Sequence, residues 1–196
     1  MSRPGFGSGV ALLVVDVQND FAHPDGSLSV AGAEAVVEEI NDLIRQATAA
    51  GSQVVYTQDW HPPSTPHFDT DGGVWPVHCV ADSWGAQFHP KLVVEGPYVR
   101  KGVGGEDGYS GFTMRHPVVE EEMSTGLHEL LRDHDVEHVV VVGLATDYCV
   151  KFTALEALER GLETTVVRSA IAAVDVEPGD GERALAAMVE AGAVVV

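Results

Sequence analysis

A three-layer α/β fold, with a doubly wound and mostly parallel sheet between helices on both faces, is what the sequence predicts. Two observations carry that expectation. Apolar runs bounded by turn residues stand at 11–17 (ALLVVDV), 53–57 (QVVYT), 138–143 (HVVVVG), 164–167 (TTVV) and 193–196 (AVVV). Their hydrophobicity is continuous rather than alternating, as strands covered on both faces require. Between them, amphipathic stretches at about 33–50, 119–133, 147–160 and 181–191 each end at a Gly or an acidic break. Strand and helix therefore alternate, which calls for parallel pairing through crossover helices.

A single domain over residues 1–196 is expected, because 45% of the chain is apolar and no linker divides it. Its exception is a loop-rich insertion beginning at Asp59, with its metal-binding part at about 59–96 and its Gly-rich remainder reaching 111. Pro, Gly, His and Trp crowd this segment, and only LVVEG (92–96) and PYVRK (97–101) look extended. Irregular segments of that length in compact domains usually carry function.

The formal net charge of −19, from 30 acidic against 11 basic residues, excludes nucleic acid and anionic membranes as partners, since both repel such a surface. A small neutral or cationic ligand is admitted more easily. The N-terminal MSRPGFGSG has no signal-peptide core, and no apolar run is long enough to span a bilayer, so a cytoplasmic location is expected. Cys79 and Cys149, in a reducing compartment, read as two separate thiols. The exposed helix faces carry no long apolar stripe, and a monomer and a homodimer both fit them.

Ligands of parallel α/β sheets bind at the carboxyl ends of the strands. Asp16, Asp59, Lys101 and Cys149 all fall at or just after such ends. Cys149 stands in the first turn of a predicted helix, where free N–H groups and the helix dipole are expected to lower its pKa and to hold a developing oxyanion. By itself a Cys there also fits a small buried hydrophobe. Asp16 and Lys101, each taken alone, fit a salt bridge at a sheet edge. With Cys149 they read as a catalytic triad: Asp16 moves the thiol proton, and Lys101 holds both groups in range. Thr146 and Asp147 are expected to cap the helix.

Asp59 and His61 lie two apart, with His67 and His78 following in the same loop. Three imidazoles and a carboxylate suit one divalent ion, Zn, Fe(II) or Mn, with positions left for water or ligand. The remaining histidines are assigned to solvent faces (His128, His134), element ends (His116, His138) and polar turns (His23, His89), and Cys79 to packing.

Six segments in order, VVDVQNDF, QDWHPP, WPVHC, RKG, GYSGF and GLATDYCV, resemble the nicotinamidase branch of the isochorismatase-like cysteine hydrolases. The resemblance covers nearly the whole chain. It implies the Asp16–Lys101–Cys149 triad, a metal on Asp59, His61, His67 and His78, and a cis peptide before Ala145 that turns the N–H groups of Ala145 and Cys149 into an oxyanion hole. It also implies that Phe21, Trp75 and Tyr109 enclose a flat ring, core packing being the other reading of each. The implied reaction is hydrolysis of nicotinamide to nicotinate and ammonia through a cysteine thioester, in NAD salvage. Two alternatives stay open: a related hydrolase acting on a carbamoyl or ureido compound, and a metal-water hydrolase in which Cys149 is structural. The Gly-rich GVGGEDGY at 102–109 departs from a pattern that varies among relatives.

Overall fold

The computed structural model describes residues 4–117, 119 and 121–196. In chain order its first half holds β1 (Val10–Val15), α1 (Asn19–Ala22), α2 (Ala33–Ala49), β2 (Gln53–Asp59), β3 (Tyr98–Lys101), β4 (Thr113–Arg115) and β5 (Glu122–Ser124). Then follow α3 (Leu127–Arg132), β6 (His138–Leu144), a π-helical turn (Thr146–Val150), α4 (Lys151–Glu159), β7 (Glu163–Ala172), α5 (Asp180–Glu190) and β8 (Val194–Val195). Six strands form one sheet in the order β3-β2-β1-β6-β7-β8, and every pair is parallel. The α/β class read from the sequence holds.

β1 explains the two-sided core. Leu12 and Val14 pack with the α2 side chains Val36, Ile40, Leu43 and Ile44, whereas Ala11, Leu13 and Val15 pack on the opposite face with Leu127, Leu131, Ala154 and Leu185. Alternate residues thus enter different cores, and each core needs an apolar side chain, which removes any polar alternation. Burying each Leu, Ile or Val stabilises by about 1.5–3 kcal/mol. α2 presents its buried residues at helical spacing, from Val36 through Ile40 and Ile44 to Ala47.

The order places a switch point between β1 and β6, from which the chain winds outward in both directions. A crevice opens there at the carboxyl ends. The two strands approach closely: a Cβ on Gly143 would lie 2.1 Å from the Val15 carbonyl oxygen, and Gly143 has φ 113°. Only glycine meets both conditions.

Three expectations change. The helix predicted over 119–133 is shorter, Leu127–Arg132, because β5 (Glu122–Ser124) instead pairs antiparallel with β4; Glu120 lies outside the described residues. LVVEG forms no strand: the main chain at Val93 and Glu95 is tied to side chains, Tyr56 donating its hydroxyl to the Val93 carbonyl and Asn41 accepting from the Val93 N–H. The short run TTVV extends into the ten-residue β7, with a register shift opposite Val141 and Gly143. Among the described residues no helix is long and apolar enough to cross a membrane.

Candidate active site and metal centre

Four adjacent strands deliver the chemistry. Asp16 follows β1 with φ 49°, Asp59 and Lys101 are register partners at the ends of β2 and β3, and Cys149 lies in the π-helical turn after β6. Lys101 is 1% exposed, and its ammonium is the hub. Nζ lies 2.8 Å from Asp16 Oδ2, bonds to Asp59 Oδ1, and stands 3.5 Å from Cys149 Sγ. Thr57 Oγ1 donates to Asp16 Oδ1 at 2.5 Å and accepts from the Asp16 N–H at 3.2 Å. The sequence reading assigned Lys101 to Asp16 and Cys149 alone; its bond to Asp59 is the addition.

The environment drives the two carboxylates apart. Burial raises the pKa of Asp16, Lys101 opposes that effect, and the nearby Asp59 charge reinforces it, so the net direction is upward. Burial also acts upward on Asp59, but Lys101, His61 and His78 outweigh it and hold Asp59 at about 2. Asp59 is therefore the fixed anion, and Asp16 the one suited to exchange a proton.

Cys149 corrects an expectation. Burial pushes its thiol well above the ordinary value, Lys101 pulls against this, and the Asp16 and Asp59 charges add to the rise. A dipole at a solvated helix end lowers a thiol pKa, but here Cys149 is buried, 7% exposed as a residue, and its sulfur faces two carboxylates. Asp147 is the second correction. No side chain caps the turn. The Asp147 carboxylate instead accepts the N–H groups of Val174 and Asp175 at 3.0 and 2.8 Å, anchoring the segment after β7 beside the site. The Leu144–Ala145 peptide is cis, as the resemblance implies.

Beside this hub, the donor atoms of His61, His67 and His78 lie within 4.8 Å of one another, and all three residues are buried. Asp59 Oδ2 lies 3.9 Å from His61 Nε2 and 4.0 Å from His78 Nε2, so Asp59 turns one oxygen to Lys101 and the other to the imidazoles. His78 Nδ1 is 2.6 Å from the Pro76 carbonyl oxygen, and His67 Nδ1 is 2.8 Å from Asp107 Oδ1, which leaves the Nε2 atom of each for another partner. Among the described residues, neither ring nitrogen of His61, both of them buried, has a hydrogen-bond partner. Burial holds His61 down at about 4 and lowers His78 from its ordinary value, so burial favours the neutral form of both rings. Neutral buried imidazoles with unused nitrogens beside a carboxylate suit a divalent cation.

Phe21, Trp75 and Tyr109 line one narrow cavity with Asp59, His78 and Cys149. Trp75 Nε1 donates to the Tyr109 hydroxyl at 3.0 Å, and Tyr148 meets Trp75 edge-on at 4.8 Å. Sequence reasoning missed Tyr148 and Val174 as further walls. It missed Gln18, whose amide nitrogen donates to the Asp59 carbonyl and whose oxygen accepts the Asp59 N–H. It also missed Asp20, whose carboxylate accepts the Cys79 N–H at 2.7 Å beside His78. Both sit in VDVQNDF, where polar residues packed between apolar ones were a readable signal. Cys79 is a packed thiol, as expected, and His89 opens a turn, as expected, its carbonyl accepting the Leu92 N–H and its Nδ1 the Lys91 N–H, although the residue is buried.

The model of the isochorismatase domain matches residues 10–196. The chain belongs to the isochorismatase family. The nicotinamidase of Escherichia coli is 37% identical over 93% of this chain and 92% of its own. The Pyrococcus horikoshii pyrazinamidase solved in complex with zinc superposes with a TM-score of 0.84 at 36% identity, covering 96% of this chain and 98% of that one. An L. infantum relative solved in complex with nicotinate gives 0.86 at 37% identity, covering 98% and 95%.

Proposed function

We propose that the chain hydrolyses the carboxamide of nicotinamide to nicotinate and ammonia, with Cys149 as nucleophile, Asp16 as proton carrier and Lys101 as their fixed counter-charge. The observation that carries this reading is the Lys101 ammonium, which touches Asp16 and stands 3.5 Å from the Cys149 sulfur at the base of an aromatic cavity.

The ring enters between Phe21 and Trp75, with Tyr109 at its edge, and its amide carbon comes to rest against Cys149. Asp16 takes the thiol proton as sulfur adds to the carbonyl carbon. The negative oxygen is held by the N–H groups of Ala145 and Cys149; losing one such donor typically costs about 3–4 kcal/mol. Asp16 returns the proton to the amide nitrogen, the C–N bond breaks, and ammonia leaves a thioester on Cys149. Asp16 then takes a proton from water as its oxygen adds to the thioester carbon, the C–S bond breaks, the proton returns to sulfur, and nicotinic acid leaves and gives up water's second proton to solvent as nicotinate. Asp59, His61, His67 and His78 would hold a divalent ion (Zn, Fe(II) or Mn), which would supply Lewis acidity when bound. The donor chemistry accepts all three metals. In this reading the enzyme is cytoplasmic and returns nicotinamide to NAD salvage.

The test is nicotinate production by the purified protein, with elemental analysis of the same sample. Ammonia release from N-carbamoyl compounds but not from nicotinamide would assign the carbamoyl alternative. Full activity in Cys149→Ala, abolished by chelation, would assign the metal-water alternative.

A further inference from the structure

The Gly-rich segment at 102–108 has no part in the reaction above, yet it touches the histidine loop at three places. A Cβ on Gly102 would lie 2.5 Å from His61 Nδ1, and Gly102 has φ 80°, so the backbone passes directly under that ring. The Gly105 carbonyl accepts the Thr65 hydroxyl at 3.3 Å. Asp107 Oδ1 meets His67 Nδ1 at 2.8 Å and also accepts the Gly108 N–H at 2.8 Å.

The three imidazoles are not fixed in the same way. His78 is oriented by a main-chain carbonyl, which no side-chain substitution removes. Among the described residues His61 has no hydrogen-bond partner on either ring nitrogen, and the ring is positioned by packing, with Gly102 on one side and Phe68 meeting it edge-on at 5.4 Å. His67 alone depends on a side chain. That side chain is itself held, because the main chain of Asp107 exchanges two hydrogen bonds with Arg115 at the end of β4. An imidazole whose Nδ1–H is given to a carboxylate has its tautomer fixed, its Nε2 freed and its basicity raised.

We infer that Asp107 is a positioning residue of the metal centre, fixing the tautomer and angle of His67, and that Gly102–Asp107 forms its outer layer. This rests on the metal reading proposed above. The carboxylate belongs to the surface loop, with its side chain 58% exposed, and does not join the donor group itself. Its effect is therefore expected on how firmly an ion is held rather than on whether the protein folds.

The experiment compares wild type, Asp107→Ala, Asp107→Asn and Gly102→Ala after metal removal. Zn(II) affinity is measured by competition with a chromophoric chelator, and imidazole tautomers by long-range 1H–15N NMR of the metal-free proteins. Asp107→Ala is expected to weaken Zn(II) binding about 10–100-fold, with an unchanged circular-dichroism spectrum and loss of the Nδ1–H tautomer at His67. Asp107→Asn, which keeps an acceptor oxygen but not the charge, is expected to restore the tautomer and part of the affinity. Gly102→Ala is expected to weaken binding by displacing His61 while leaving the His67 tautomer intact. Wild type that takes up no Zn(II) would overturn the metal reading itself. Wild-type binding matched by Asp107→Ala, or an unchanged His67 tautomer in that variant, would overturn this inference alone.

Discussion

Alkylation of Cys149 as a function of pH separates two kinds of nucleophile. A thiol lowered by a helix dipole or a cation titrates at about 3.5–7.5, and its alkylation rate is flat above neutrality. Cys149 is instead pushed up, first by burial and then by the Asp16 and Asp59 charges, against the pull of Lys101. With a pKa above the ordinary value of about 8.5, less than roughly 3% of the sulfur is thiolate at pH 7. The rate of iodoacetamide modification of the metal-free protein is therefore expected to rise about tenfold per pH unit, or about 100-fold from pH 6.5 to 8.5. Asp16→Asn removes one of the charges that raise the thiol while Lys101 remains, so its profile is expected to move to lower pH. Peptide mapping distinguishes Cys149 from Cys79, which is fully buried. A plateau below pH 7 in the wild type would refute the reasoning, because the sulfur would then be ionised at rest instead of being deprotonated by Asp16 when substrate arrives.

Lys101→Met leaves Asp16 and Asp59 facing each other without their shared cation; breaking a buried pair costs about 3–5 kcal/mol, so urea unfolding should show a loss of that size, and a loss below about 1 kcal/mol would contradict the hub. In the proposed mechanism Asp16 must be ionised to accept the thiol proton, and burial raises its pKa, so kcat/KM is expected to fall with decreasing pH at a higher pH than an ordinary Asp would give. Asp16→Asn should lower kcat by about 10²–10⁴-fold and abolish that acid limb, as a pH–rate profile would record. With a net charge of −19, the surface repels itself, and raising salt from 0.01 to 0.15 M shortens the Debye length from about 30 to about 8 Å. Thermal unfolding should therefore shift upward with KCl, by about 2–4 °C for each kcal/mol regained, and a falling midpoint would count against surface repulsion.

The strands were legible because burial on both faces leaves its mark in every residue of 11–15 and 139–142. The four charged or nucleophilic residues at their ends were legible because a polar side chain closing such a run needs a partner or a task. What stayed hidden depends on contacts between distant parts of the chain. Thr57 binds Asp16 across 41 positions, and nothing local marks that threonine. The role of Asp147 was misread because a carboxylate early in a helix has the same appearance whether it caps its own turn or, as here, receives N–H groups from Val174 and Asp175. The thiol was misread for a related reason: position in a helix is visible in sequence, whereas depth below the surface and the approach of Asp59 are not. The segment predicted as one long helix was divided because a short hairpin satisfied the backbone before α3 began.

Asp59 gives one oxygen to Lys101 and turns the other toward the histidine nitrogens. In the proposed site, an ion bound on one side would draw electron density away from the ammonium on the other, and that ammonium opposes the burial that raises Asp16. Exchanging one metal for another should therefore alter the acid–base set-point of the sulfur chemistry as well as the fit of the ring, and a pH optimum measured with zinc should not carry over unchanged to iron or manganese.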